Sequence, residues 1–275
     1  MKKFLTLVKE YRGTHVLVGS STLFFFYFWL TKGFSFLQQQ GASLNTFIHH
    51  VVHYLPQPDF QIKNSTGVFL VRAFDDSTTI CSDYFESHLR PWLEHPIQKD
   101  IFLDVGANRG LYTVLALTKY DYQKAYAFEP NPEVCTLLEK NIKLNNIVDK
   151  THIEEAGLGS KEAVVGFEVD VMHKGGGRVA EQRTGTLTVS IRPLDAILDD
   201  ATASRVSFIK IDTEGYESAV LEGAKRTLTL MPVNSCIMVE SAEPARIASV
   251  LTHYDFVQEA SVAYDHLFIK SPPHL

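Results

Sequence analysis

Only three cysteines occur in 275 residues, Cys81, Cys135 and Cys236, and no CxxC pair is present. That excludes a disulfide framework and gives no support to a zinc site. The three read as small, buried, hydrophobic thiols. Positive charge is scarce too: 26 basic residues against 32 acidic ones leave a net charge of −6. Nothing in that balance attracts a phosphate backbone, so no nucleic-acid partner is expected and a small or neutral substrate fits better. No internal repeat or low-complexity domain is found. The length suits one large α/β domain plus an appendage, and not two independent cores.

Charge is missing altogether from Thr14 to Thr31, whose centre is the apolar run Leu23–Leu30, LFFFYFWL. As a helix these eighteen residues reach about 27 Å, close to the roughly 30 Å hydrocarbon core of a bilayer. Lys2, Lys3, Lys9 and Arg12 precede the run and only Lys32 follows closely, which keeps the N-terminus cytoplasmic under the positive-inside tendency. The expectation is a membrane-anchor helix over about 14–31 in a single-pass protein. A helix packed on the domain or lying at a membrane surface gives the same pattern, with a cytoplasmic or peripheral protein as the outcome. Apolar residues at helical spacing between Phe34 and Leu55 predict an amphipathic connector. His49 and His53 have the i, i+4 spacing of a metal pair but no third ligand, so they read as a solvated face. Residues 1–58 are taken as an N-terminal segment and 59–275 as the main domain. Asn64–Ser65–Thr66 matches a glycosylation sequon at a turn-like position.

Beyond residue 58 the pattern alternates. A hairpin is predicted from Asp59–Ile62 and Gly67–Phe74, and then a helix over Tyr84–His95 disturbed at Pro91. Strands follow at Ile101–Val105, Lys124–Phe128 and Thr151–Ala156, with helices at Leu111–Lys119 and Pro132–Asn145 between them. Further strands are expected at Val206–Ile211 and Cys236–Val239, helices at Glu217–Leu230 and Pro244–Leu251, and two terminal strands near Phe256–Glu259 and His266–Lys270. Repeated β-α units imply a parallel sheet with right-handed crossovers. The last two strands have no helix between them, so one of them should run antiparallel. Ala163–Val171 and Thr186–Ile191 read as strands flanking a polar loop with Lys174, Gly175–Gly177 and Arg178, taken as a hairpin or active-site lid.

The most informative segment is Asp104–Gly110, DVGANRG, a tight glycine turn between a strand and a helix. Such a turn is the nucleotide-cradling entrance of a doubly wound domain. Glu129 ends the next strand, where an acidic side chain accepts hydrogen bonds from ribose hydroxyls of dinucleotides and adenosyl cofactors alike. The third glycine of G-x-G-x-x-G is absent, since Asn108 stands between Gly106 and Gly110, which leaves NAD as the second choice. Asp104 repels a pyrophosphate but can interact with a cationic aminoacyl cofactor; it can also simply cap the turn.

Taken together, DVGANRGLYT from Asp104, FEPNP from Phe128, Asn145–Asn146, Gly157–Ser160, Pro193–Leu194–Asp195 and FIKIDTEGYE from Phe208 resemble the FkbM-type S-adenosylmethionine-dependent methyltransferases over roughly Ile101 to Lys270. The resemblance implies a class I methyltransferase fold, a Rossmann-like, doubly wound, seven-stranded, mostly parallel α/β sheet, here with an N-terminal helical appendage. It implies S-adenosylmethionine as cofactor. Asp104, Gly106 and Asn108 would surround its methionine part, Glu129 would hold the ribose with Asn131 in support, and Glu155 and Ala156 would lie at the adenine. The acceptor class it implies is a hydroxyl on a glycan, glycolipid or other natural product.

In Phe208–Glu214, Lys210, Asp212 and Glu214 alternate with apolar or small residues, so Lys210 and Asp212 project together at a strand end. A structural salt bridge predicts the same spacing. Methylating a hydroxyl requires alignment and proton removal. Asp212 is the first candidate for that base or for orienting the acceptor, Glu240 the second, and Lys210 would ease ionisation of the hydroxyl. Two carboxylates do not make a metal site, and none is assigned. An NAD-dependent oxidoreductase and a membrane-tethered, non-catalytic binding protein on the same fold stand as alternatives.

Overall fold

The computed structural model describes residues 14–18, 26, 58–73, 76–169, 177–179 and 187–272. The chain divides into two compact units, Met1–Phe85 with Asp170–Gly175, and Glu86–Val169 with Gly176–Leu275. The 59–73 hairpin falls in the first unit.

In the first unit, β1 (His15–Val18) pairs antiparallel with β2 (Asp59–Lys63), which forms a hairpin with β3 (Val68–Arg72). The short helix α1 spans Ser77–Ile80. Alternation buries Phe60 and Ile62 on β2 and Phe69 and Val71 on β3. The strand at β1 corrects the expected anchor: His15–Val18 bonds across to Gln61–Lys63 and does not start a continuous helix over 14–31. A β-branched pair, Val16 and Val18, favours that extended form. Among the described residues, no helix is long and apolar enough to cross a membrane. The 34–55 connector and His49 and His53 lie outside the described residues.

The sequon has a structural use. Asn64 is buried, its Oδ1 accepts the Thr66 and Gly67 amides at 3.1 and 3.2 Å, and its Nδ2 donates to the Cys81 carbonyl at 2.6 Å. Its amide nitrogen is therefore committed inside the fold, as in an Asx turn.

The second unit opens on turns and a 3₁₀ segment, Arg90–Glu94, where a helix over Tyr84–His95 was expected. Glu86 has φ +48 and Pro91 brings no N–H, and each breaks an α-helical path. From there the chain runs β4 (Ile101–Val105), α2 (Leu111–Thr118), β5 (Lys124–Phe128), α3 (Pro132–Leu144), β6 (Thr151–Glu154), β7 (Gly157–Leu158), β8 (Ala163–Glu168), β9 (Arg178–Val179) and β10 (Leu187–Arg192). It continues with α4 (Leu194–Ile197), α5 (Asp200–Ala203), β11 (Val206–Ile211), α6 (Glu217–Glu222), α7 (Lys225–Leu230), β12 (Cys236–Glu240), α8 (Pro244–Thr252), β13 (Phe256–Val262) and β14 (Asp265–Lys270).

Seven strands form one sheet in the order β13-β14-β12-β11-β4-β5-β6. The neighbours from β12 to β6 are parallel, and β14 runs antiparallel to both β12 and β13, as the missing helix between the terminal strands required. This is the class I methyltransferase architecture that the resemblance implied. Ile101, Leu103, Val105, Ile209, Ile211, Ile237 and Val239 point to one face, packed with Val220, Leu221, Leu228, Ile247 and Leu251 from α6 to α8. Phe102, Asp104, Phe208, Lys210 and Glu240 alternate to the other face.

Two predicted elements end early. The strand over 151–156 stops at Glu154, and beyond it β7 joins a second sheet, β7-β10-β8-β9. Of the glycine loop, only Gly177–Val179 is described, and there β9 pairs with β8; Lys174, Gly175 and Gly176 lie outside the described residues. The helix over 217–230 breaks at Gly223, where a Cβ would sit 2.0 Å from the Gly159 carbonyl oxygen. Asp195 restarts it as α7 by accepting from the Arg226 and Thr227 amides at 2.7 and 2.9 Å and from Thr227 Oγ1 at 2.8 Å.

Candidate active site

The glycine turn folds over the end of β5, because Gly106 and Ala107 both donate to the Phe128 carbonyl, at 3.1 and 2.9 Å. Gly106 has φ +77, and a Cβ there would lie 1.9 Å from the Asp212 carbonyl oxygen. The turn and the end of β11 therefore touch backbone to backbone, which only glycine permits. Asn108 follows at φ +51, a conformation asparagine tolerates.

Asp104 is 1% exposed, and its Oδ2 accepts from the Thr113 amide at 2.9 Å and Thr113 Oγ1 at 2.6 Å. It caps the first turn of α2, the plainer of its two expected roles. Burial raises its pKa, opposed by Lys210 and the Thr113 hydrogen bonds. Glu129 is also buried, and its Oε2 and Oε1 accept from the Asn108 and Asn131 amides, each at 2.9 Å. Burial outweighs those bonds and pushes its carboxyl up to about 7. The two amides use two of a carboxylate's roughly four acceptor positions. Asn131 is the N-cap of α3, with Oδ1 accepting from the Glu133 amide at 3.1 Å. At the end of β6, Glu154 pairs with Arg192 at 2.5 Å, while beyond the strand Glu155 is exposed and Ala156 buried.

The second group comes from the ends of β11 and β12 and the start of β14. Lys210 pairs alongside Asp104 in the sheet; its Nζ lies 2.9 Å from Asp212 Oδ2 and 5.0 Å from the centre of the Tyr112 ring. Burial alone would lower the Lys210 pKa, yet Asp212, Asp104 and Glu86 outweigh it and hold the ammonium above its ordinary range. Carboxylate oxygens of Glu86, Asp212 and Glu240 all lie within 4.8 Å of one another. The Lys210 ammonium supplies the positive charge beside them. Glu240 is pushed up to about 7 by partial burial, then by Asp212, Asp265 and Glu86. Asp265, opposite Glu240 in the β12–β14 register, is pushed up to about 6 by burial, Glu86 and Asp212. Glu217 stays outside this group: its Oε1 accepts from Thr213 Oγ1 at 3.0 Å and from the Gly215 amide at 2.8 Å, closing the turn into α6.

Lys210 and Asp212 lie together as their spacing suggested and Glu240 joins them, whereas Glu86 and Asp265 escaped the sequence reading. Glu86 sits in a stretch whose pattern suggested a helix, and Asp265 begins β14, one residue ahead of the predicted terminal strand. Neither carries a local motif.

The model of the methyltransferase FkbM domain matches residues 104–257. The chain belongs to the FkbM methyltransferase family. The hexuronic acid methyltransferase AglP of Haloferax volcanii is 28% identical over 151 residues, covering 54% of this chain and 59% of that protein. Methyltransferase sdnD of Sordaria araneosa is 26% identical over 176 residues, covering 53% and 67%. The chain thus matches about three fifths of the length of the first of these relatives. A solved FkbM methyltransferase from Methylobacillus flagellatus superimposes with a TM-score of 0.47 at 18% identity, covering 68% of this chain and 46% of that one. Membership sets aside the dinucleotide oxidoreductase. Both Glu86 and Asp265 lie outside the FkbM match.

Proposed function

We propose that this FkbM protein is an S-adenosylmethionine-dependent O-methyltransferase acting on a hydroxyl of a glycan, glycolipid or natural product. The observation that carries this reading is the contact of Gly106 with Asp212, which sets the nucleotide turn directly beside the strand end bearing Lys210 and Asp212 and next to Glu240. The hexuronic acid named for the Haloferax relative favours a sugar acceptor.

The residues present fit the cofactor. Glu129 retains acceptor capacity for ribose hydroxyls after binding two amides, and Glu155, which the resemblance assigns to the adenine, is exposed. When bound, S-adenosylmethionine supplies an electrophilic methyl group. The chain's own task is to orient the acceptor hydroxyl and take its proton. Asp212 is engaged by the Lys210 ammonium, which suits it to orienting the hydroxyl. Glu240, with a carboxyl at about 7 and an exposed side chain, is matched to accepting a proton near neutral pH. This reverses the order in which the two carboxylates were ranked from the sequence.

Calorimetric titration with S-adenosylmethionine, followed by incubation with cell extract and methyl-labelled cofactor, tests the proposal. The expected result is binding, release of S-adenosylhomocysteine and a product bearing the labelled methyl on oxygen. Binding without turnover in any extract would favour the non-catalytic alternative, and label on nitrogen or carbon would refute the acceptor class.

A further inference from the structure

Glu86 enters the site from a turn, at φ +48, ahead of the residues that match the family. Its carboxylate accepts a hydrogen bond from the Tyr112 hydroxyl at 2.8 Å, and it lies within 4.8 Å of both Asp212 and Glu240. The charged and titratable groups around the trio come from every element that faces it: Lys210 on β11 and Asp212 just past its end, Asp104 on β4, Glu240 on β12, Asp265 on β14, Tyr112 on α2 and His88 on the Glu86 turn. We propose that Glu86 is a positioning residue for proton transfer: its carboxylate, held by the Tyr112 hydroxyl beside Glu240, strengthens the hold of Glu240 on a proton. The inference rests on reading Glu240 as the proton acceptor.

The argument is electrostatic. Three carboxylates this close repel one another, and the Lys210 ammonium beside them pairs with Asp212 at 2.9 Å. Burial raises the Glu86 carboxyl above its ordinary range, while the Lys210 ammonium and the donating Tyr112 hydroxyl oppose that rise by favouring the charged form. Negative charge on these neighbours makes a charge on Glu240 more costly, and its carboxyl is raised by Asp212, Asp265 and Glu86 after burial. A base kept protonated until near neutrality is one that can take up a proton and release it in each turnover.

The test uses full-length protein labelled with carbon-13 at glutamate carboxyls and titrated by NMR, with the Glu240 signal identified by its loss in Glu240→Gln. The wild-type signal is expected to titrate near neutrality. In Glu86→Gln its midpoint should fall by at least about half a pH unit, the smallest effect expected for charges at this separation even in a water-like dielectric. Tyr112→Phe should move it the same way, because Glu86 without its donor takes the proton itself. An unmoved Glu240 midpoint in folded Glu86→Gln overturns the proposal, and if that variant does not fold, an unmoved midpoint in Tyr112→Phe does so. A wild-type midpoint that changes on adding a chelator would assign the effect to a bound cation and overturn it as well. Calorimetry with S-adenosylmethionine on the same samples reports separately: absent binding defeats the proposed function, while the Glu240 midpoint still judges the coupling.

Discussion

Gly106 and Asp212 are in backbone contact: a Cβ on Gly106 would lie 1.9 Å from the Asp212 carbonyl oxygen. Gly106→Ala should therefore disturb both halves of the site, destabilising the protein by on the order of 3 kcal/mol through the clash and the positive φ. Urea denaturation together with cofactor titration checks this. An alanine variant of wild-type stability and affinity would mean that the two strand ends are not held together.

Asp195 predicts the opposite split. It caps α7 through the Arg226 and Thr227 amides and the Thr227 hydroxyl. Asp195→Ala should cost about 2 kcal/mol in urea denaturation, with cofactor affinity retained in the folded fraction.

Glu129 makes stability depend on pH. Its folded-state pKa of about 7 is above the ordinary 4.5, so the folded form binds the proton more tightly than the unfolded one. The associated stability is complete below about pH 4.5 and is lost as pH rises to about 7, on the order of 3 kcal/mol in the ligand-free protein. Denaturation midpoints measured between pH 4.5 and 8 should decline over that window in the wild type. The decline should be shallower in Glu129→Gln, and an equal slope in both would refute the assignment.

Glu240→Gln should lower labelled-methyl transfer by roughly 10²- to 10⁴-fold, the range for a lost general base. Cofactor affinity should stay within a few fold. Turnover near the wild-type rate would transfer the role of base back to Asp212.

Glu86, Asp212, Glu240 and Asp265 surround a single lysine, Lys210, which is already paired. A neutral hexoside should then accept methyl groups at least about tenfold better than the matching uronate. Competition between the two for labelled cofactor measures the preference. A preference for the uronate, as in the activity named for the Haloferax relative, would require a cation outside this group.

Much of the fold was legible because its signals are local. The strands Ile101–Val105, Lys124–Phe128 and Val206–Ile211 fall where their apolar runs predicted. Each is a short buried run bounded by turn or helix signals. Elements failed where a backbone event overrode the side-chain pattern. Gly223 breaks an apparently continuous amphipathic helix because it must pass against Gly159. His15–Val18 extends inside an uncharged run because β2 offers it a partner edge. Hydropathy carries no information about that pairing.

The sequence by itself determined the glycine turn, the acid at the end of β5 and the Lys210–Asp212 strand end, since each is a short-range pattern of residue types that one strand or one turn must satisfy. Only the tertiary structure decided what those residues do. It turned Asp104 into a helix cap, committed Asn64 to a turn, and brought Glu86 and Asp265 to Glu240 from distant parts of the chain. The physical reason is that charge coupling depends on distance in space and on burial, and the strand order that sets both is encoded in no single segment.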